Sequence, residues 1–329
     1  MKNKKKIILS LLISGTLLNS LAVVANNYSY RYPASGVDSK EGGLSGGSGD
    51  EVLPEERDSS PWEDFAIANS LTYGDWNSLD WGQKGLTSLP DEPYPLANPS
   101  GDILLYENNL SSLHGLSTIN SVNTIAFGGN SFTNLDDLSN LESANTINSV
   151  GNPLTNINGL SNISSLNNLY LNNANISDIS AIYDISGLME VGVSNNSSLN
   201  AVQFANVDLS NVEGLFINGT NTSDISFLSN APKLKHFYAN ETNITNVNSL
   251  SHLTNMGFIY LQDNPSLVDV SGLRNLTSAE VANVVIDSAI DSRSGFVPIP
   301  ATSWICTTGK KSLTGENGHP FAKVTDVCR

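Results

Sequence analysis

The residues with which proteins most often do acid–base, nucleophilic or metal chemistry are few in this chain of 329 residues: four histidines, His114, His236, His252 and His319, and two cysteines, Cys306 and Cys328. Their spacing supports little of that chemistry. No two histidines stand in H-x-x-x-H or H-E-x-x-H, and no Gly-rich phosphate loop leads into a helix. Carboxylates are frequent, but they follow loops and rims rather than a converging pair; the paired acids of a hydrolase stay open without anything pointing to them. Cys306 and Cys328 have too few other ligands nearby to hold a metal, and free thiols are disfavoured in an oxidising compartment. A structural disulfide is expected. No catalytic residue, metal site or cofactor is assigned.

The N-terminal stretch places the chain in such a compartment. "MKNKKKIILSLLISGTLLNSLAVVANN" has lysines, then an apolar run, then Val23-Val24-Ala25, the layout of a secretory signal peptide over residues 1–25. An uncleaved anchor is the alternative, disfavoured by Ser, Gly, Thr and Asn within the run. Residues 26–59, Gly/Ser-rich and acidic, are expected to be a flexible linker, with a specific tether as the alternative. The formal charge is −16, and losing Lys2, Lys4, Lys5 and Lys6 makes the rest more acidic still. Such a chain repels phosphate backbones, so nucleic acid is a poor partner. No later apolar stretch approaches the length needed to span a bilayer.

Whatever binds must be positioned by the remaining elements, and these repeat. Short apolar pairs begin at Leu79, Ile103, Ile125, Ile147, Leu169, Val191, Leu215, Phe237 and Ile259, separated by 22 residues except for two steps of 24, with a weaker tenth start at Val281. Seven residues after six of these starts come Leu86, Leu110, Phe132, Leu154, Ile176 and Ile244. Other apolar positions keep the same step. The segment "LNNLYLNNANI" from Leu166 fits L-x-x-L-x-L-x-x-N-x-L with Ala174 in the Asn place. Elsewhere that place holds Asn108, Asn130, Asn152, Asn196 and Asn264, with Thr220 and Thr242 as substitutes. An inward Asn there can bond backbone groups of the turn leaving the strand. This is the leucine-rich repeat template. One coil cannot bury its own apolar side, so neighbours must stack.

The 22-residue unit, with "NISDISAI", "NITNVNSL" and "GLSNISSL", resembles the leucine-rich repeats of bacterial internalin-like proteins. The resemblance implies a right-handed solenoid over residues 79–285, with a curved parallel β-sheet and a convex side of 3₁₀ turns or extended segments. It also implies recognition of a protein through the concave face, and transfers no contact residue. The sequence has no sorting motif before an apolar C-terminal tail, so a secreted or periplasmic protein, or one held at the cell surface, is expected. The longer units, with "PDEPYPLANPSG" (Pro90 to Gly101) and the segment Ser197 to Gly214, should bulge from the rim or convex side.

Both ends of a solenoid need covering. Upstream, residues 60–78 offer Ser60 as helix N-cap, Pro61 at the first helical position and Glu63 and Asp64 in the first turn; Trp62, Phe65, Ala66, Leu71 and Trp76 can cover the first coil. Downstream, residues 286–329 hold both cysteines, with Trp304, Ile305, Phe321 and Val324 beside them, and read as a disulfide-closed cap or a small binding appendage.

With the start residue and the one two places on turned inward, the residues between them face the concave side. The first of these series includes Tyr170, Phe216, Tyr238, Tyr260 and Ala282, with His236 and Phe258 just before two of the starts. Asn218, Asn240 and Glu241 lie further along the strands and turns. This predicts an exposed aromatic strip flanked by amides and a carboxylate, either a ligand surface or stacking that stabilises the sheet. The expected function is non-catalytic recognition of a protein by a monomer; a glycan-binding surface and a structural spacer are the alternatives.

Overall fold

The computed structural model describes residues 59–277, 283–287, 290–307 and 327–329. The signal peptide, the linker as far as residue 58, Val281, Ala282, His319, Phe321 and Val324 lie outside them. Ten strands form one parallel sheet in chain order: β1 (Leu79–Asp80), β2 (Asp102–Leu104), β3 (Ser121–Ala126), β4 (Ser143–Asn148), β5 (Ser165–Tyr170), β6 (Glu190–Gly192), β7 (Gly214–Phe216), β8 (His236–Tyr238), β9 (Phe258–Leu261) and β10 (Asn283–Ile286). The repeat starts are in register, Leu79 beside Ile103 and so on to Phe237 beside Ile259.

The tenth start departs from the expected position. Ile259 pairs with Val284, not Val281. The reason is in the inward pair: a start at Val281 would turn Asn283 into the core, whereas Val284 and Ile286 bury two branched apolar side chains. Val285 therefore takes the outward place expected of Ala282.

The return path of each coil is short, and eight of the coils close it with 3₁₀ turns from His114–Leu116 to Ser271–Asn275. Too few residues are available for a longer helix, and 3₁₀ geometry spans the gap with fewer. Three of these turns carry glycines against the preceding coil: a Cβ on Gly159 would sit 1.7 Å from the Leu135 carbonyl oxygen, one on Gly272 1.9 Å from that of Val247, and one on Gly115 2.3 Å from that of Pro90.

Asparagines tie the coils together. Asn130 Oδ1 accepts from Leu110 N (2.9 Å), while Nδ2 donates to Leu105 O (3.0 Å) and Phe127 O (2.8 Å). Asn152, Asn196 and Asn264 do the same for their preceding coils. The inward Asn thus serves its own turn, as expected, and also staples two coils. One residue before it, a second ladder runs: Gln83, Glu107, Gly129, Gly151, Asn173, Asn195, Gly219, Glu241 and Asp263 all have positive φ. Glycine takes this left-handed conformation freely, Asn and Asp at small cost, Glu at more.

The helix at the N-terminal end, α1 (Pro61–Ala68), carries a capping box: Ser60 Oγ accepts from Glu63 N, and Glu63 Oε2 accepts from Ser60 N, both at 3.2 Å. Trp62 stacks on Trp81 with centroids 5.7 Å apart. Each of the two long units is anchored by a buried aromatic. Tyr94 folds back edge-on to Trp62 at 4.9 Å and donates its hydroxyl to Trp76 O at 2.8 Å. Phe204 sits fully buried in a 3₁₀ segment, Ala201–Asn206. Each insertion carries an aromatic whose burial outweighs the cost of ordering a longer coil.

At the other end Cys306 and Cys328 form a disulfide with Cα atoms 5.8 Å apart. Ile290, Ile299, Ile305 and Val327 join the continuous core. Asp287 and Arg293, absent from the sequence expectation, terminate the hydrogen-bond ladder. Asp287 Oδ1 and Oδ2 accept from Asp263 N (2.7 Å) and Asn264 N (3.3 Å). Arg293 donates to the carbonyls of Asn264 and Leu267 at 2.7 Å each and pairs with Asp287 at 2.8 Å.

Candidate functional site

The outward face of the sheet, the concave side of this fold class, carries the candidate residues. Strand register puts Tyr170, Gly192, Phe216, Tyr238 and Tyr260 side by side on β5 to β9, and His236 beside Phe258 on β8 and β9. Neighbouring strands lie about 4.8 Å apart, so rings on adjacent strands from β7 to β9 meet. Phe216 and Tyr238 have centroids 4.9 Å apart at 84°, and Tyr238 and Tyr260 4.6 Å apart at 65°. Phe258 lies 6.3 Å from Tyr260 and nearly parallel to it, and 5.4 Å from the His236 ring.

The strip is less open than expected. Phe216 and Tyr170 are only 7% and 8% exposed, while Tyr238, Tyr260, Phe258 and His236 keep partial exposure. Glycines on β6 and on β7 itself explain this. A Cβ on Gly214 would stand 3.2 Å from two Phe216 ring carbons and 3.3 Å from Glu190 Cγ, so the ring lies down over the bare backbone. Gly192 separates Tyr170 from Phe216 by two strand steps, about 10 Å, and Tyr170 turns its hydroxyl to Glu190 Oε2 instead. Tyr170 therefore stands apart from the strip.

The amides have a structural task. Asn218 Oδ1 accepts from Asn240 N, and Asn240 Oδ1 from Gln262 N, both at 2.8 Å; Asn172 does likewise for Ser194 N at 2.7 Å. They form the rungs of a ladder along the strand ends. Glu241 is exposed at the end of β8, in the left-handed turn position.

Among the described residues His236 is the one histidine on this face. Its Nδ1 is buried without a hydrogen-bond partner. Burial pulls its pKa below the ordinary histidine value, and Lys235 adds to this; Glu190 and Glu213 oppose it. Its imidazole is thus kept neutral, and Nδ1 has no hydroxyl to activate. Burial raises the Tyr260 phenol. Lys235 pairs with Glu213 at 2.9 Å. His114 and His252 sit exposed on the return side, the first 3.9 Å from Asp137, the second with Nδ1 2.9 Å from Ser249 O. Among the described residues no group of three or more His, Cys, Asp or Glu converges to hold a metal, and no helix is long and apolar enough to cross a membrane.

Glu190, Gly192 and Gly214 were missed as shapers of this face. Their signal lay in the sequence, at outward places on adjacent coils, but a list of aromatics passes over small residues. A shallow groove of about 400 Å³ lies elsewhere, at the strand starts of β3 to β5, lined by small neutral side chains such as Ser121, Asn123, Ser143 and Asn145.

No protein-family model matches the chain, and no curated protein matches it in sequence. Solved structures do. An internalin C2 from Listeria monocytogenes is 24% identical over 57% of this chain and 87% of its own, with a TM-score of 0.51. The functional domain of InlJ from Listeria monocytogenes, described as including a cysteine ladder, is 18% identical over 68% of this chain and 48% of its own, TM-score 0.50. The Arabidopsis receptor kinase HAESA, solved with a peptide hormone and a co-receptor, is 15% identical over 70% of this chain and 40% of its own, TM-score 0.53. With these likenesses beside the in-register sheet, the Asn staples and the 3₁₀ returns, the fold is that of an internalin-like leucine-rich repeat solenoid.

Proposed function

We propose that this is an exported, non-catalytic recognition protein that grips a protein partner on the outward face of its sheet. The observation that carries the reading is the cluster of partly exposed rings, Tyr238, Tyr260, Phe258 and His236, held rigidly on adjacent strands. Pre-ordered aromatics lose little entropy on binding and make good anchors. The geometry favours a protein over a glycan: a sugar chain stacks on open ring faces, whereas Phe216, Tyr238 and Tyr260 meet edge to face. The peptide-bound plant receptor is one use of the same fold. The disulfide fits an oxidising compartment.

The test is affinity capture with the chain from residue 26 onward. One stoichiometric protein is expected, lost with Tyr238→Ala/Tyr260→Ala while circular dichroism is unchanged. Capture that survives the double substitution, or a glycan-array signal that vanishes with it, overturns the reading.

A further inference from the structure

Charge around the aromatic strip is one-sided. Five carboxylates border it on β6 to β10 and their turns: Glu190, Glu213, Glu241, Asp263 and Asp287. Among the described residues only Lys235 and Arg293 oppose them, and both are already engaged, Lys235 with Glu213 at 2.9 Å and Arg293 with Asp287 at 2.8 Å. His236 adds no positive charge near neutral pH, because burial favours its neutral form. Glu190, Glu241 and Asp263 therefore have no basic side chain within ion-pair distance among the described residues. The side chains of Glu241 and Asp263 make no hydrogen bond there either, although both residues are exposed. Further along the same face Asp80 and Asp102 add charge of the same sign, in a chain of formal charge −16.

We propose that the occupant of this face is a cationic protein segment, an extended stretch bearing Arg or Lys whose charged ends lie over Tyr238 and Tyr260 and pair with Glu190, Glu241 and Asp263. This rests on the reading of the face as a protein-docking surface. Two features of the site call for the same chemistry. The partly exposed tyrosine rings attract a cation within about 6 Å of a ring centroid. The carboxylates stand beyond the rings in both directions, Glu190 in the His236 row and Glu241 and Asp263 at the far strand ends, so a guanidinium over the rings has an anionic partner on either side. An acidic segment or a phosphorylated or sulfated ligand would meet uncompensated like charge, which costs affinity and slows encounter. A neutral apolar segment would desolvate three carboxylates with nothing in exchange.

The experiment is selection from a displayed library of random peptides of about twelve residues, roughly 40 Å when extended and long enough to cross the strip. Selection uses the chain from residue 26 onward and is countered with its Tyr238→Ala/Tyr260→Ala variant. Discriminating sequences enriched in Arg and Lys are expected, with binding that weakens as salt rises. Glu190→Gln/Glu241→Gln/Asp263→Asn should lower their affinity at least about tenfold, a step of about 1.4 kcal/mol. The same charge change off this face, Asp91→Asn/Glu142→Gln/Asp184→Asn, should leave it within about twofold. Discriminating sequences that are neutral or acidic overturn the cationic inference and leave the docking surface standing, as does an equal loss in both triple variants. If no sequence distinguishes the native chain from the tyrosine variant, the docking surface falls and the inference with it.

Discussion

At the scale of single residues, asparagine holds the coils and histidine reports the environment of the face. Asn152 is fully buried and joins Phe132 N, Phe127 O and Ser149 O. Asn152→Ala leaves buried backbone groups unpaired and should cost about 3 kcal/mol in urea unfolding. Ala174 shows why one coil does without the Asn: there Leu154 N finds the Asn152 carbonyl at 2.8 Å instead. His236 gives a pH dependence. Its folded pKa lies below the ordinary 6.5, mainly through burial, so the unfolded chain binds the proton more readily. The stability it contributes is present above the unfolded value and falls as pH drops through that value toward the lower folded one. Urea midpoints measured at about pH 7.5 and about pH 5 should differ less in His236→Gln than in the native chain; an unchanged difference would show that His236 is not the group responsible.

At the scale of elements, the long coils hold anchors that the repeat pattern did not reveal. A run without the repeat's regular leucines looks like a surface loop, yet Phe204 and Tyr94 are buried. Nothing local distinguishes an aromatic that folds inward from one on a bulge. The decision lies with the adjoining coils, where Phe227 meets Phe204 at 5.8 Å and Trp62 meets Tyr94 at 4.9 Å. Phe204→Ala should therefore cost about 3–5 kcal/mol, the range for emptying a core site of this size. A loss below about 1 kcal/mol would return that segment to the surface. The tenth strand teaches the same lesson. A start at Val281 kept the 22-residue step, but the core takes the branched apolar pair Val284 and Ile286.

At the scale of the whole molecule, stability passes from coil to coil, because each coil packs mainly against its neighbours. The last coils then depend on whatever ends the ladder, here Asp287, Arg293 and the segment closed by the disulfide. Arg293→Ala removes donors to two carbonyls and should speed hydrogen exchange of amides in β8 to β10, lowering local opening free energies by about 2 kcal/mol there and leaving β3 to β5 unaffected. Uniform acceleration across all strands would mean that the solenoid opens as a single unit. The disulfide, closing a loop with a sequence separation of 22, adds about 3 kcal/mol on the chain-entropy argument.

The sequence by itself determined the solenoid: coil length, nine of the ten strand starts, the Asn positions, the capped N-terminal helix and the cysteine pair. All of these follow from apolar periodicity or short-range capping, which are local and repeat with each coil. Only the tertiary structure decided which rings remain reachable. Phe216 lies down because Gly214 is bare, Tyr170 turns to Glu190, and Asn218 and Asn240 spend their carbonyls on the next coil. Gly214 acts from two residues before Phe216 on the same strand; the other outcomes depend on a residue about one coil away in sequence yet only about 5 Å away across the sheet, a distance that periodicity predicts but whose contents it does not rank.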